Sequence, residues 1–465
     1  MVFSSFVFVS LFLPIVFLVN HKLPSRVSNA VLIVFSLLLY AWGEPVYVAL
    51  LVAAILANYG IALFIQARPR LGTALALLLN LGLLYGCKYL SFTLETISAL
   101  TGRSFSVHVH MPIGVSFYTF QAMSYVFDVK RGVCRPQRSL SKLMLYIALF
   151  PQLIAGPIVK YSDIESYLDD RHASAEEIAR GFRRFCVGLA KKVLVANVLA
   201  KAADAAFALA PGDMSVAIAW LGAAAYALQI YYDFSGYSDM AIGIGLALGF
   251  RFRENFAHPY AASSMRGFWR RWHISLSLWF REYVYIPLGG NRRGPLRTAA
   301  NRLIVFLLTG LWHGANWTFL VWGLGNGILV AIEGLIAPDE RSRPLWGVGR
   351  LYVIVACICL FVVFRADSLG HAAAYLSRMW TWPAGATDAE RVLIAGLFDG
   401  HMILTMAMAT VCAGNRAGTL RRGFAAMGAG HFFEPCAYLC SLGLLLLSLF
   451  ALASQTYNPF IYFRF

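Results

Sequence analysis

The chain has 465 residues, 59% of them hydrophobic and 13% charged, with a mean hydropathy of +0.65. These values exclude an ordinary soluble domain and identify an integral membrane protein. The formal charge of +16 does not point to nucleic acid, because the basic residues sit in short loops between apolar runs, where the positive-inside rule accounts for them.

A spanning helix needs about 20 mostly apolar residues, and such runs recur from end to end. Alternating strands of about 10 residues are absent, so an all-α polytopic membrane protein is expected. The opening "MVFSSFVFVSLFLPIVFLVN" lacks a basic n-region and a small-residue cleavage site and reads as a retained first span. Apolar runs follow at 29–42, 45–65, 71–89, 112–129, 143–159, 181–203, 214–232, 237–250, 303–320, 317–335, 349–364, 391–412 and 436–453. Several are too short to cross alone, so re-entrant or merged segments are expected, with about 11 or 12 true crossings in one domain over 1–465. No inverted internal repeat of the transporter kind is evident. The eight cysteines fall singly, without zinc or redox spacing, so neither a metal nor a disulfide framework is expected.

Segments 130–142, 160–180 and 251–302 are expected on the cytosolic side or in the interface, and 454–465 forms an aromatic tail. "VKRGVCRPQRSLSK" (129–142) carries five basic residues and no acidic one. The stretch Arg251 to Arg302 carries ten arginines against Glu254 and Glu282. At helical period Phe268, Trp269, Trp272, Leu276 and Trp279 share a face, with Arg270, Arg271 and Arg281 to the side or opposite. That pattern predicts a helix lying in the membrane interface.

Within "LTGLWHGANWTFLVWG" (308–323), His313 follows Arg302 by 11 residues, roughly 16 Å along a helix and about half of a 30 Å hydrocarbon core. An ionisable residue at that depth either packs helices together through a hydrogen bond, with Asn316 as a further interhelical contact, or marks a functional pathway. His273 is a second imidazole at the cytosolic rim, and histidine titrates nearest the working pH of a general base. Asp233 and Asp239 in "QIYYDFSGYSDMAIGIGLALGF" (229–250) are read as structural charges, paired with arginines of the basic segment or accepting from tyrosine and serine hydroxyls. A proton relay through them has no other support. The ending "PFIYFRF" suits a membrane-edge aromatic belt, yet Tyr462 is also a hydroxyl on a short tether that a base could activate.

"FWRRWHISLSLWFREYVYIPLGGNR" followed by "LTGLWHGANWTFLVWG" resembles the membrane-bound O-acyltransferase family, in its bacterial branch for alginate and exopolysaccharide O-acetylation. "YAWGEP", "PIGVSFYTFQAMSYVFDV", "FPQLIAGPIVKY", "YYDFSGYSDMAIG", "VVFRADSL" and "FIYFRF" extend the similarity over nearly the whole chain. The resemblance implies a helical disc with a funnel from the cytosolic side, His313 as the catalytic histidine at its depth, and His273 as the second functional position. It implies a cytosolic thioester donor, acetyl-CoA, used as co-substrate with no tightly bound cofactor. It further implies delivery across a bacterial inner membrane to a periplasmic SGNH-type acetyltransferase that decorates a polysaccharide, with Tyr462 in the place of an acyl relay. On this reading Arg270, Arg271 and Arg281 attract the donor phosphates and Asn316 or a backbone amide supports the oxyanion. D-alanyl transfer from a carrier protein, and a transporter without acyl chemistry, are the alternatives.

Overall fold

The computed structural model describes residues 3–459 apart from 106, 108, 155, 338–345, 382–390, 392–395, 397–398, 415–418, 420–421, 424–425, 427–429 and 455–456. The described residues hold helices and loops and no strand. Among the described residues six helices are long and apolar enough to cross a membrane, and the chain is a multi-pass membrane protein. It divides into two compact units, Met1–Phe185 with Tyr237–Glu254, and Cys186–Gly236 with Asn255–Phe465.

The first unit opens with α1 (Phe8–Asn20), α2 (Ser25–Gly43), α3 (Tyr47–Phe64) and α4 (Pro69–Thr101). α4 is continuous beyond the expected end at 89, because a π-turn at Tyr85–Tyr89 carries it on without a break. These helices are inverted relative to a soluble protein. Leu78 is 74% exposed, whereas Asn58 and Asn80 are fully buried and exchange side-chain hydrogen bonds of 3.1 and 2.8 Å between α3 and α4. Leucine gains nothing by leaving lipid, so the polar and small residues make the helix contacts. α5 (Val115–Lys130), α6 (Leu140–Ala148) and α7 (Tyr161–Asp169) follow, and α6 stops at Leu149 before one further turn at Phe150–Leu153.

α8 (Ala175–Ala190), a π-helical stretch at Lys191–Ala196 and α9 (Asn197–Ala208) form one rod that enters the second unit. α10 (Val216–Ala247) is a single 32-residue helix. The separate runs expected at 214–232 and 237–250 are therefore one element, since the polar interruption between them is satisfied from its side. Lys192 reaches Asp233 Oδ1 at 2.6 Å with both side chains buried. A Cβ on Gly236 would stand 2.7 Å from the carbonyl oxygen of Gly188, so only glycine allows this approach.

The remainder of the second unit comprises α11 (Met265–Trp269), α12 (Ile274–Phe280), α13 (Pro295–His313), α14 (Trp317–Ile336) and α15 (Trp346–Arg365). α16 (Leu369–Trp380), α17 (Gly400–Cys412) and α18 (Gly430–Ser454) complete it. The continuous interfacial helix expected from 268 onward is broken. α11 ends at Trp269 and α12 starts at Ile274, so Phe268, Trp272 and Leu276 do not share one helical face. All three are buried in the aromatic interior, because aromatic rings that could lie on lipid find better-packed partners within the unit.

Candidate active site

α13 and α14 form a helical hairpin whose contact is made by backbone. A Cβ on Gly310 would lie 2.2 Å from the Phe319 carbonyl oxygen, and one on Gly323 would lie 2.4 Å from that of Phe306. This closeness places the end of α13 within the unit rather than at its rim. His313 is the last residue of α13 and is buried. Its ring meets Trp322 edge to face at 5.1 Å and Phe364, from α15, at 5.2 Å.

The turn between the helices is Gly314–Asn316, and Asn316 caps α14. Its side-chain oxygen accepts from the Thr318 N–H at 3.1 Å while Nδ2 donates to the Asp367 carbonyl at 3.3 Å. One end of the amide is thereby committed to the start of α14 and the other to the loop after α15, so Asn316 serves as the cap of α14.

His273 reaches the same region from the break between α11 and α12. It takes a left-handed backbone conformation, φ 45° and ψ 55°, which non-glycine residues adopt only under local constraint. The constraint comes from the segment after Glu254: Ile274 N–H donates to the Asn255 carbonyl at 3.0 Å, and Ala257 N–H donates to the Arg271 carbonyl at 2.9 Å. α11 is held in turn by α14, since Glu333 accepts from the backbone N–H groups of Met265 (2.7 Å) and Arg266 (3.1 Å) at the positive end of that helix. Asn326 accepts from the Trp269 indole at 3.1 Å.

The result is a histidine pair, His273 and His313, with ring centroids 6.5 Å apart and planes tilted by 64°. His273 is fully buried, with Phe234 of α10 edge-on at 4.6 Å and Trp312 at 5.8 Å. Burial, reinforced by the His313 imidazole alongside, holds His273 well below the ordinary histidine range and therefore neutral. Its Nδ1 lies 3.3 Å from Asn255 Oδ1. The aromatic rings packed around the pair bury it, which strengthens any electrostatic interaction made there.

A cavity of about 560 Å³ opens in the same unit. Its lining combines Arg266, Arg270, Arg281 and Arg302 with apolar side chains of α11 to α14, including Trp269, Leu276, Phe280 and Phe306. Neither histidine lines it, but Ile274 and Thr309 do; the first adjoins His273 and the second is one turn before His313. Of the three arginines singled out by sequence, Arg270 and Arg281 belong to this lining and Arg271 does not. Sequence reasoning missed Arg266 and Arg302 as part of it. Asn255 was missed too, and no local signal marks it, as it stands 18 residues before the histidine it touches.

Each aspartate has a basic partner from outside the 251–302 segment. Asp233 pairs with Lys192 in the second unit, and Asp239, in the first, accepts from Arg184 at 2.9 and 2.8 Å. Basic residues of the α8 rod, running alongside α10, supply the charges within reach. Arg184 also joins Glu254, so the acidic end of the basic segment is drawn into that pair. Tyr462 lies outside the described residues. The tail before it is held on the α8–α9 rod: Tyr457 OH donates to Asp204 at 2.6 Å, Asn197 donates to Asn458 at 3.1 Å, and Lys192 donates to the Pro459 carbonyl.

Residues 136–364 match the family model described as MBOAT, membrane-bound O-acyltransferase family. The chain is 36% identical to the probable alginate O-acetylase AlgI of Azotobacter vinelandii and 38% identical to that of Pseudomonas putida, with 100% of both chains covered in each case. It is 38% identical to the peptidoglycan O-acetyltransferase of Helicobacter pylori, over 82% of this chain and 80% of that one. With identity at this level along its entire length, the chain belongs to the membrane-bound O-acyltransferase family and is a multi-pass membrane O-acyltransferase.

Proposed function

We propose that the protein takes an acetyl group from acetyl-CoA on the cytosolic side of a bacterial inner membrane and passes it across for O-acetylation of an exopolysaccharide such as alginate. The observation that carries this reading is the buried pair of His273 and His313, set within one turn of residues that line an arginine-bearing cavity. The names of the relatives support acetyl as the group and an extracytoplasmic polymer as its destination. Arg266, Arg270, Arg281 and Arg302 supply the positive potential that draws the donor phosphates, while the apolar lining suits its pantetheine arm.

In this mechanism the pair of His313 and His273 deprotonates the attacking hydroxyl, and the thioester carbonyl is opened where little water competes. The acceptor is a hydroxyl of an extracytoplasmic SGNH-type partner that modifies the polymer, and Tyr462 serves as the relay between them. Anchoring of Tyr457–Pro459 on the α8–α9 rod supports a role for the tail, because Tyr462 follows only three residues later.

The test is label transfer from acetyl-CoA carrying a labelled acetyl group, with purified protein in nanodiscs. His313-dependent release of free coenzyme A, or label retained on the protein, is the expected result. Turnover only with an acyl carrier protein would replace this donor by the D-alanyl type. Solute flux without acyl turnover would replace the enzyme reading by a transporter.

A further inference from the structure

We propose that Asn255 is a positioning residue of the acyl-transfer site: it holds His273 as the Nδ1-protonated tautomer, so that Nε2 offers its lone pair to the hydroxyl that receives the acyl group. This inference rests on the histidine pair being the site of acyl transfer. It adds which nitrogen of His273 accepts the proton and which residue decides that.

The argument begins with Ser275. Its backbone N–H lies 3.2 Å from the Asn255 side chain and can only donate, so the atom it meets is the amide oxygen and not the amide nitrogen. The Ser275 hydroxyl donates to the same oxygen at 2.9 Å. An oxygen cannot donate, so His273 Nδ1, 3.3 Å from it, must carry the ring proton. A neutral imidazole has one such proton, and Nε2 is left with its lone pair. Nε2 is buried and, among the described residues, meets no hydrogen-bond partner in the structure. The backbone carbonyl of Asn255 receives the Ile274 N–H, so one residue fixes both the left-handed turn and the ring that turn presents.

The groups facing His273 are His313, Trp312, Phe234, Ser275 and Asn255, of which His313 is the one ionisable side chain. In the step itself the hydroxyl proton passes to His273 Nε2 as the new C–O ester bond forms. The donor's C–S bond breaks, and the imidazolium returns the proton to the departing thiolate. The sum is alcohol plus thioester giving ester plus thiol.

Two measurements test this. In histidine-labelled protein in nanodiscs, nitrogen-15 spectra compared with those of His273→Gln identify the His273 signals. An unprotonated Nε2 is expected, whereas a protonated Nε2 with bare Nδ1 would overturn the proposal. In the label-transfer assay Asn255→Ala is expected to lower kcat at least about tenfold with the donor KM held, because an unoriented base loses much of its contribution. Asn255→Asp keeps the acceptor oxygen and adds a negative charge beside Nδ1–H. It is expected to restore the rate at high pH and to move the acid limb of kcat upward, since the imidazolium becomes easier to form. If Asn255→Ala only reduces the amount of folded protein while specific activity and the Asn255→Asp pH profile match wild type, Asn255 is structural and the proposal fails. Full activity in His273→Ala would instead remove the histidine-pair reading beneath it.

Discussion

His273 and His313 stand with ring centroids 6.5 Å apart although 40 positions separate them in sequence, and they reach that position by different means. His313 is carried in on the end of α13, whereas His273 projects from a left-handed turn between two short helices. Both routes lean on α14, through its hairpin with α13 and through the Glu333 and Asn326 contacts to α11, but each histidine can be substituted by itself.

For each of His313→Ala and His273→Ala, the acyl-transfer rate should fall by roughly 10²-fold or more, the usual contribution of a positioned acid or base. Membrane protein level should hold in both. Loss of rate and level together would make the histidine a packing residue.

The hairpin that delivers His313 depends on glycine. With a Cβ 2.2 Å from the Phe319 carbonyl oxygen, Gly310→Ala must push α13 from α14. Overpacking of this kind costs about 1–3 kcal/mol, so a lower Tm in detergent and a weakened acyl-transfer rate are expected. An unchanged Tm would contradict the backbone contact.

The buried Lys192–Asp233 pair gives an asymmetric expectation. Lys192→Met leaves the Asp233 carboxylate buried without its cation and should destabilise by about 3–5 kcal/mol. Lys192→Met combined with Asp233→Leu should regain most of that loss, as paired burial is costly to break and cheap to replace. Thermal unfolding of the three variants compares them directly.

Cavity-lining arginines should govern donor binding. Arg270→Ala with Arg281→Ala is expected to raise the donor KM roughly three- to tenfold, with the difference shrinking as salt rises. Arg271→Ala, whose side chain does not line the cavity, should leave KM unchanged. Equal effects from all three would point to a general surface potential.

Acidification should act through His273. Its imidazole is held neutral in the fold, below its ordinary value, while the unfolded chain takes up a proton as pH falls through about 6.5. The unfolded state then binds more protons, so stability contributed at this site is complete above that pH and declines below it. Melting curves from pH 8 to 5 should show a steeper loss for wild type than for His273→Gln.

By itself the sequence determined the membrane class and the helical architecture, because these follow from composition and run length, and it singled out His313 as a residue costly in an apolar run. The apolar runs expected at 303–320 and 317–335 overlap, whereas the structure turns between α13 and α14 at Gly314–Asn316. The sequence failed where a side-chain partner comes from far along the chain. The polar stretch around Asp233 and Gly236 looks like a break, but Lys192 and the close approach of Gly188 keep α10 whole. The aromatic period from Phe268 to Trp279 looks like one interfacial helix, yet Asn255 pins the chain into a left-handed turn at His273 and folds those rings inward. Helical periodicity is a local property, whereas the orientation of a buried imidazole depends on which distant acceptor meets its nitrogen, and only the tertiary structure brings Asn255 to His273.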